Sequence, residues 1–407
     1  MKTKSKKEKT TVTEEPVVLN IPDDEIWTYQ IEGLAAPHID KPYKYYTVKK
    51  IIFAVVIIVA VSLSMFFTIR TVQKDTFEYK PLENNTYQLS KFSNTGNITE
   101  LDIDFVTTAD VDETNPENIK LIKDESKVVT EIREYALNCD EKVQVINIGR
   151  DVEKIDGKAF YSCWALQRIE VDENNPYYCD IDGVLYNKDK TELICHPCDR
   201  DTYLSQKYGY KPIFDDNGQR TFPVEGDTEF EGYKKDVLTF VVPSTVETIG
   251  ELAFNYAYLQ EIYLPEGLKT IETLGIFEIP LLSDIYSYKT EASIDSDHFE
   301  SKDALGEVYL SLPEGLEYIG SDAFSYNQAM TYVYIPSSIK YIGHHAFWDT
   351  VYKEDGNLKG VTQIDIGMSE DEFKNVECGD QWKPQYDYML FKKSVDEVFD
   401  AQREIIK

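Results

Sequence analysis

Seven apolar positions recur at fixed offsets along this chain, and that period limits the fold more than any other property. Val129 is followed by Ile132, Ala136, Leu137, Val143, Ile146 and Ile148. Val152 is followed at the same offsets by Ile155, Ala159, Phe160, Leu166, Ile169 and Val171, and Leu316 by Ile319, Ala323, Phe324, Met330, Val333 and Ile335. Ile339 opens another copy with Ile342, Ala346 and Phe347, then makes a longer excursion before Val361, Ile364 and Ile366. Val246 fits with one late deletion (Ile249, Ala253, Phe254, Leu259, Ile262, Leu264), and Leu268 fits loosely through Ile271, Ile276 and Phe277. Neighbouring starts lie 23 residues apart at 129/152 and 316/339, and 22 apart at 246/268. A unit this short cannot bury its own apolar side chains, so a period in the low twenties predicts stacked units sharing one core.

Within a unit, "EIYLP" and "YVYIP" alternate at strand spacing with β-branched and aromatic residues. Pro243, Pro265, Pro313 and Pro336 end those strands, because proline has no N–H to donate. Gly250, Gly320 and Gly343 stand where a turn with positive φ is expected. The "AF" pair predicts one turn of helix. Units running in one direction predict a single parallel sheet.

The pattern IPxxVexIGxxAFxxCxxLxxIxIP resembles the BspA-like class of leucine-rich repeat over about 129–367. "NNPYYCDIDGVLYNKDKTELICHP" (174–197) resembles the hairpin insert that follows a unit in that family. The resemblance implies a surface-exposed, ligand-binding protein, often bacterial. Departures are visible. Cys163 matches the family's cysteine, but Tyr256, Asn327 and Asp349 stand near that place elsewhere, the asparagine ladder of other leucine-rich repeats is missing, and 199–236 and 281–306 interrupt the array. The expected fold class is α/β: a strand-rich leucine-rich-repeat solenoid with one parallel sheet, preceded by a single transmembrane helix. Repeats fill 129–367 with the hairpin insert at 174–198. Residues 71–128 form a juxtamembrane segment and N-terminal cap, and 368–407 a C-terminal cap.

The membrane expectation rests on "IIFAVVIIVAVSLSMFFTI", residues 51–69, which carries no charge. Its 19 residues would span roughly 28 Å as a helix, close to the ~30 Å hydrocarbon core. A buried core helix usually keeps a polar stripe, and the charged leader of a signal peptide is short; about fifty residues precede this run. Lys41, Lys44, Lys49 and Lys50 on one side against Arg70, Lys74 and Lys80 on the other favour a cytoplasmic amino terminus. Residues 1–48 then form a disordered cytoplasmic tail, 49–70 the membrane helix, and the remainder lies outside. Residues 1–50 hold nine Lys against eight Asp or Glu, so the acidic excess lies wholly beyond the run, where residues 71–407 carry −33 against −31 for the whole chain. Such a polyanion is ill suited to phosphate backbones, which excludes nucleic acid as an expected partner.

The motifs do not assign a catalytic residue, a metal or a cofactor. None of the five histidines belongs to HExxH, and GxSxG and GxxxxGK[ST] are absent. His344–His345 reads as a turn, and "DVDETNPEN" (110–118) lacks the glycine and terminal glutamate of an EF-hand loop. "CHPC" (195–198) lacks the second ligand pair that zinc needs. A hairpin turning at Lys188–Asp189 would set Cys179 opposite Cys198, which suggests a cross-strand disulfide or two free thiols. Cys139 and Cys163 fit a core role. Tyr263, Tyr309, Tyr332 and Tyr334 alternate with inward residues and are expected to line one face over three successive strands, either as a binding face or as structural stacking. The expected function is a membrane-anchored cell-surface module binding protein or carbohydrate ligands on the extracellular side, as in adhesion. The alternatives are an envelope enzyme such as a glycosidase with the repeats as substrate platform, or a structural envelope scaffold.

Overall fold

The computed structural model describes residues 77–391 apart from 94–97, 112–118, 138–141, 162, 212, 215–219, 222–229, 289–307, 349, 355–356, 362 and 384–388. They belong to one compact unit, Thr68–Lys407. The amino-terminal tail, the apolar run 51–69, Cys139 and the segment after 391 lie outside the described residues. Among the described residues no helix is long and apolar enough to cross a membrane.

Each repeat contributes three backbone stretches that bond to its neighbours, so three ladders enclose the core. The first is a strand of only two residues, ending on the isoleucine of the fourth repeat position. Thr248–Ile249, Thr270–Ile271, Tyr318–Ile319 and Tyr341–Ile342 pair in parallel with isoleucine beside isoleucine. On its outer side Glu247 meets Lys269 at 2.6 Å and Glu317 meets Lys340 at 2.7 Å, exposed pairs worth about 0–1 kcal/mol each. The second ladder is the longer strand before the proline. It runs in parallel through Glu100–Ile103, Val145–Ile148 and Arg168–Val171, then through Thr239–Val241, Glu261–Pro265 and Asp284–Tyr288, and again through Tyr332–Ile335, Gln363–Ile366 and Met389–Phe391.

The third ladder is built from the AF turns. The N–H groups of Leu274, Ile276 and Glu278 donate to the carbonyls of Ser321, Ala323 and Ser325 at 2.9–3.0 Å, and those of Asp322, Phe324 and Tyr326 to His344, Ala346 and Trp348 at 2.8–3.1 Å. Alternate donors can all face the next unit because left-handed residues punctuate the turn: Leu252, Leu274, Asp322 and His345 at one offset (φ 53–58°), and Tyr256, Glu278 and Tyr326 at another (φ 50–64°). Each left-handed non-glycine residue costs roughly 1–2 kcal/mol, offset here by satisfying buried backbone groups. Among the described residues the expected helical turn therefore forms only once, as a 3₁₀ turn at Gly157–Phe160 whose Lys158 N–H is capped by Asp156 Oδ1 at 3.0 Å. The glycine expectation is corrected too. Positive φ falls on those other residues, whereas Gly320 and Gly343 are small because a Cβ there would collide with the backbone of Thr273 and of Ser321.

The expected single parallel sheet is likewise corrected. A three-sided unit distributes its strands over separate ladders, and Asp284–Tyr288 pairs antiparallel with Val308–Leu310. The hairpin after the second unit is also antiparallel: Tyr178–Ile181, Val184–Asn187 and Glu192–Cys195 in that order. It stands between two buried cores. Leu185, Ile194, Cys195 and Tyr178 pack with Phe160, Leu166 and Ile169 of the amino-terminal core, while Val184, Tyr186 and Leu193 pack with Ile249, Phe254 and Ile262 of the larger one. Burial on both faces explains why "GVLY" is apolar without alternation. Asn175 locks the hairpin's base. Its Nδ2 donates to the carbonyls of Gly149 (2.8 Å) and Val152 (3.0 Å), and its Oδ1 accepts from the N–H groups of Tyr177 and Tyr178.

Candidate functional site: a cleft where the ladder breaks

The ladder of short strands is interrupted once the hairpin enters. Lys154–Ile155 pairs with Ile119–Ile132. The next rung in that face, Glu192–Cys195, pairs with Thr248–Ile249 and, on its other side, with the hairpin strand Val184–Asn187. Side chains therefore take over the bonding at the break. The Ile155 N–H donates to the Tyr178 hydroxyl at 2.9 Å, and that hydroxyl lies 3.4 Å from the Glu153 carbonyl. Opposite, Asn187 Oδ1 accepts the N–H groups of Thr191 and Glu192 at 2.8 and 3.0 Å. A side chain cannot fill the volume of a missing strand, and a cavity of about 240 Å³ remains.

Its walls carry the carboxylates of Glu153, Glu192 and Glu251, the Asn187 amide and the rings of Tyr177 and Tyr178. Gly157 and Gly250 keep the floor low: a Cβ on Gly157 would lie 3.1 Å from the Glu251 carbonyl, and one on Gly250 2.9 Å from that of Leu193. Lys158 Nζ binds Glu251 Oε1 at 2.9 Å, and this bond holds the ammonium above its usual range. Glu192 has the opposite environment: burial, then the charge of Glu272, push its carboxyl up. Burial and then Glu251 do the same to Glu272. Tyr177, 47% exposed at the mouth, points its hydroxyl toward Glu153 Oε2 at 3.4 Å. The cleft thus offers carboxylate and amide oxygens beside aromatic faces, a lining that can hold a hydroxyl-rich or cationic group.

Of the tyrosines singled out from sequence, Tyr263, Tyr332 and Tyr334 lie elsewhere and do not form an exposed face. Tyr263 is 8% exposed and stacks on Tyr286 (4.9 Å, 21°), above Glu261, which is paired with Lys234 at 2.5 Å. Tyr334 is 1% exposed and its hydroxyl donates to Glu314 at 2.7 Å. Tyr332 is half-buried and donates to Asp365 at 3.1 Å. The three-strand succession fails because Asp284–Tyr288 lies beside Glu261–Pro265, placing Tyr286, not Tyr309, opposite Tyr263. Tyr309 pairs through its backbone with Ser287, and its side chain lies outside the described ones. Tyr263, Tyr332 and Tyr334 serve the sheet.

The disulfide expectation is also corrected: Cys179 and Cys198 are free thiols. The turn at Asp182–Gly183 breaks the assumed pairing: it sets Cys179 opposite Tyr186, with Val184–Asn187 lying between the Cys179 strand and Glu192–Cys195. Cys179 Sγ lies 3.3 Å from the Asn187 carbonyl, and Cys198 Sγ donates to the Asn255 carbonyl at 3.1 Å. The CHPC segment packs as structure, with Cys195, His196 and Cys198 all buried. His344 is exposed, and His345 Nε2 shares a 2.8 Å bond with Gln381 Oε1. Among the described residues no group of three or more His, Cys, Asp or Glu side chains could hold a metal ion. The sequence reading did not single out Glu153, Tyr177, Tyr178, Asn187, Glu192 or Glu251. The signal for them was the hairpin itself, since an insert that displaces a unit must interrupt a ladder.

Among solved structures, similarity extends to a leucine-rich repeat protein from Eubacterium ventriosum (15% identity, 76% of this chain and 83% of that one, TM-score 0.39). It extends also to the pneumococcal vaccine antigen PcpA (13%, 79% and 98%, TM-score 0.35) and to a leucine-rich repeat protein from Bacteroides ovatus (15%, 79% and 70%, TM-score 0.31). No curated protein matches the sequence. The BspA type leucine rich repeat region matches in six copies over residues 90–180 and 226–353. That is more than half of the 407 residues, and the three-laddered chain described above belongs to the BspA type leucine-rich repeat family.

Proposed function

We propose that this chain is a membrane-anchored, cell-surface recognition module whose repeat domain binds a ligand outside the cell through the cleft at the ladder break. The observation that carries the reading is the cleft: about 240 Å³ between Glu153 and Glu192, with Tyr177 at its mouth. That size and lining fit one sugar residue of a glycan, stacked on a ring and bonded through its hydroxyls to carboxylate and amide oxygens. Family membership supports a binding role, and the uncharged run 51–69 with its flanking lysines supports the anchor. The test is glycan-array binding by the 68–407 fragment, with Tyr177→Ala and Glu192→Gln as variants. The account expects selective glycan retention lost in both variants. Retention equal to wild type, or capture only of proteins, would contradict it.

An enzyme reading is favoured by one observation: Glu192 is held protonated at higher pH than usual, in a cleft shared with Glu153. Unequal carboxyls are what glycoside hydrolysis uses. Turnover of a retained glycan, abolished in Glu192→Gln, would establish it, while retention without products would keep the binding reading. Protease treatment of intact cells tests the topology, which predicts loss of the repeat domain to external protease.

A further inference from the structure

His196 occupies the place that phenylalanine holds in other turns of the third ladder. Its N–H donates to the Ala253 carbonyl at 2.7 Å, as Phe254 donates to Gly275 at 3.0 Å and Phe324 to Ala346 at 2.8 Å. Its ring stacks on Phe254 (5.3 Å, 27°), as Phe324 stacks on Phe347 (5.0 Å, 2°), and meets Phe240 edge-on at 4.8 Å. The residue is 3% exposed and neither ring nitrogen has a hydrogen-bond partner. A ring in this position ties the hairpin's last strand to the repeat that opens at Val246. We propose that His196 is an acid-released latch: neutral, it closes the hairpin onto the Val246 unit, and proton uptake opens that junction together with the adjoining cleft.

Around the ring only the backbone at Pro197 and His196 favours the proton, and burial and the Arg200 charge outweigh it. From the helix Arg200–Tyr208, the Arg200 guanidinium lies 5.8 Å from the Phe240 ring centre and binds Asp182 at 2.8 Å, and the same helix carries the buried Asp201. The hairpin end contributes the thiols of Cys195 and Cys198. Burial pushes both up, Cys198 to about 12 with help from Asp199, so they stay neutral as pH falls. Thr239–Val241 presents Phe240 and the Val246 unit presents Phe254, both apolar. Burial first, and the Arg200 charge second, hold the imidazole well below the ordinary histidine range. The opened form binds the proton that the closed form refuses. The opening constant therefore rises by about tenfold per pH unit below ~6.5. Glu192 acts with the opposite sign, since its raised range favours the closed form as pH falls. The inference does not depend on what the cleft holds.

Hydrogen exchange of the full chain, corrected for intrinsic rates and followed from pH 7 to 4.5, tests this directly. Amides of 178–198 are expected to open more as pH falls below ~6.5, by up to about tenfold per pH unit where Glu192 does not oppose it, while those of 318–347 hold. In His196→Phe, the acid-driven opening is expected to be lost, leaving only the opposite, closing response of Glu192; His196→Leu serves if that variant does not fold. Hairpin protection independent of pH in the wild type, or an equal acid response in the variants, would overturn the proposal.

Discussion

The twelfth position of the repeat is filled by unlike side chains that make the same bond. Cys163 Sγ donates to the Leu137 carbonyl at 3.1 Å, and Asn327 Nδ2 donates to the Ile276 carbonyl at 2.6 Å. Leu137 and Ile276 are each the ninth residue of the unit behind. Asn327 does more, since its Oδ1 also accepts the Ile279 N–H at 2.8 Å. Replacing it strands two buried backbone groups, so Asn327→Ala should lower unfolding free energy by about 1–3 kcal/mol in urea titration. Asn327→Cys, keeping a donor but no acceptor, should fall between. Gly320→Ala should lose about 1–3 kcal/mol by forcing a Cβ into the Thr273 backbone; an unchanged midpoint would show that the turn can shift freely. From sequence, Asn327 looks like a departure from a cysteine pattern. Its equivalence to Cys163 depends on which carbonyl the neighbouring turn presents, and one unit's residues cannot state that.

At the scale of elements, the hairpin decides where the site lies. "DGVLY" marks it in sequence, yet the sequence reading placed only the turn at Lys188–Asp189; the Asp182–Gly183 turn (φ 49° and 81°) folds Tyr178–Ile181 back onto Val184–Asn187 and so moves Cys179 away from Cys198. Asn175 holds four backbone bonds at its base, so Asn175→Ala should raise hydrogen exchange across 178–195 and lower the melting temperature by several degrees. Glu192 gives a pH prediction of definite sign. Its folded range lies above the ordinary carboxyl value, so the folded state binds the extra proton, and stability falls as pH rises through that window. Glu192→Gln should therefore raise the melting temperature at pH 7 relative to wild type and lose that advantage near pH 4. A gain of equal size at both pH values would point to packing instead of charge.

For the whole molecule, the period was the legible part. Ile249, Ile271, Ile319 and Ile342 are wholly buried, as are Phe254, Phe324 and Phe347. The sequence also held more than was drawn from it. Leu282 and Ile285, inside the 281–306 stretch that looks like an interruption in sequence, are buried core residues of the unit that opens at Leu268. The partition into three ladders was hidden because two-residue strands and left-handed turns carry too few residues to show a period of their own. Hydrogen exchange across 77–391 at neutral pH tests the stacked-ladder account most directly. Slowly exchanging amides should recur once per unit, not only in strands but at Phe254, Ile276, Phe324 and Phe347 in the turns, with His196 protected like them. Turn amides exchanging as fast as exposed loops would contradict it.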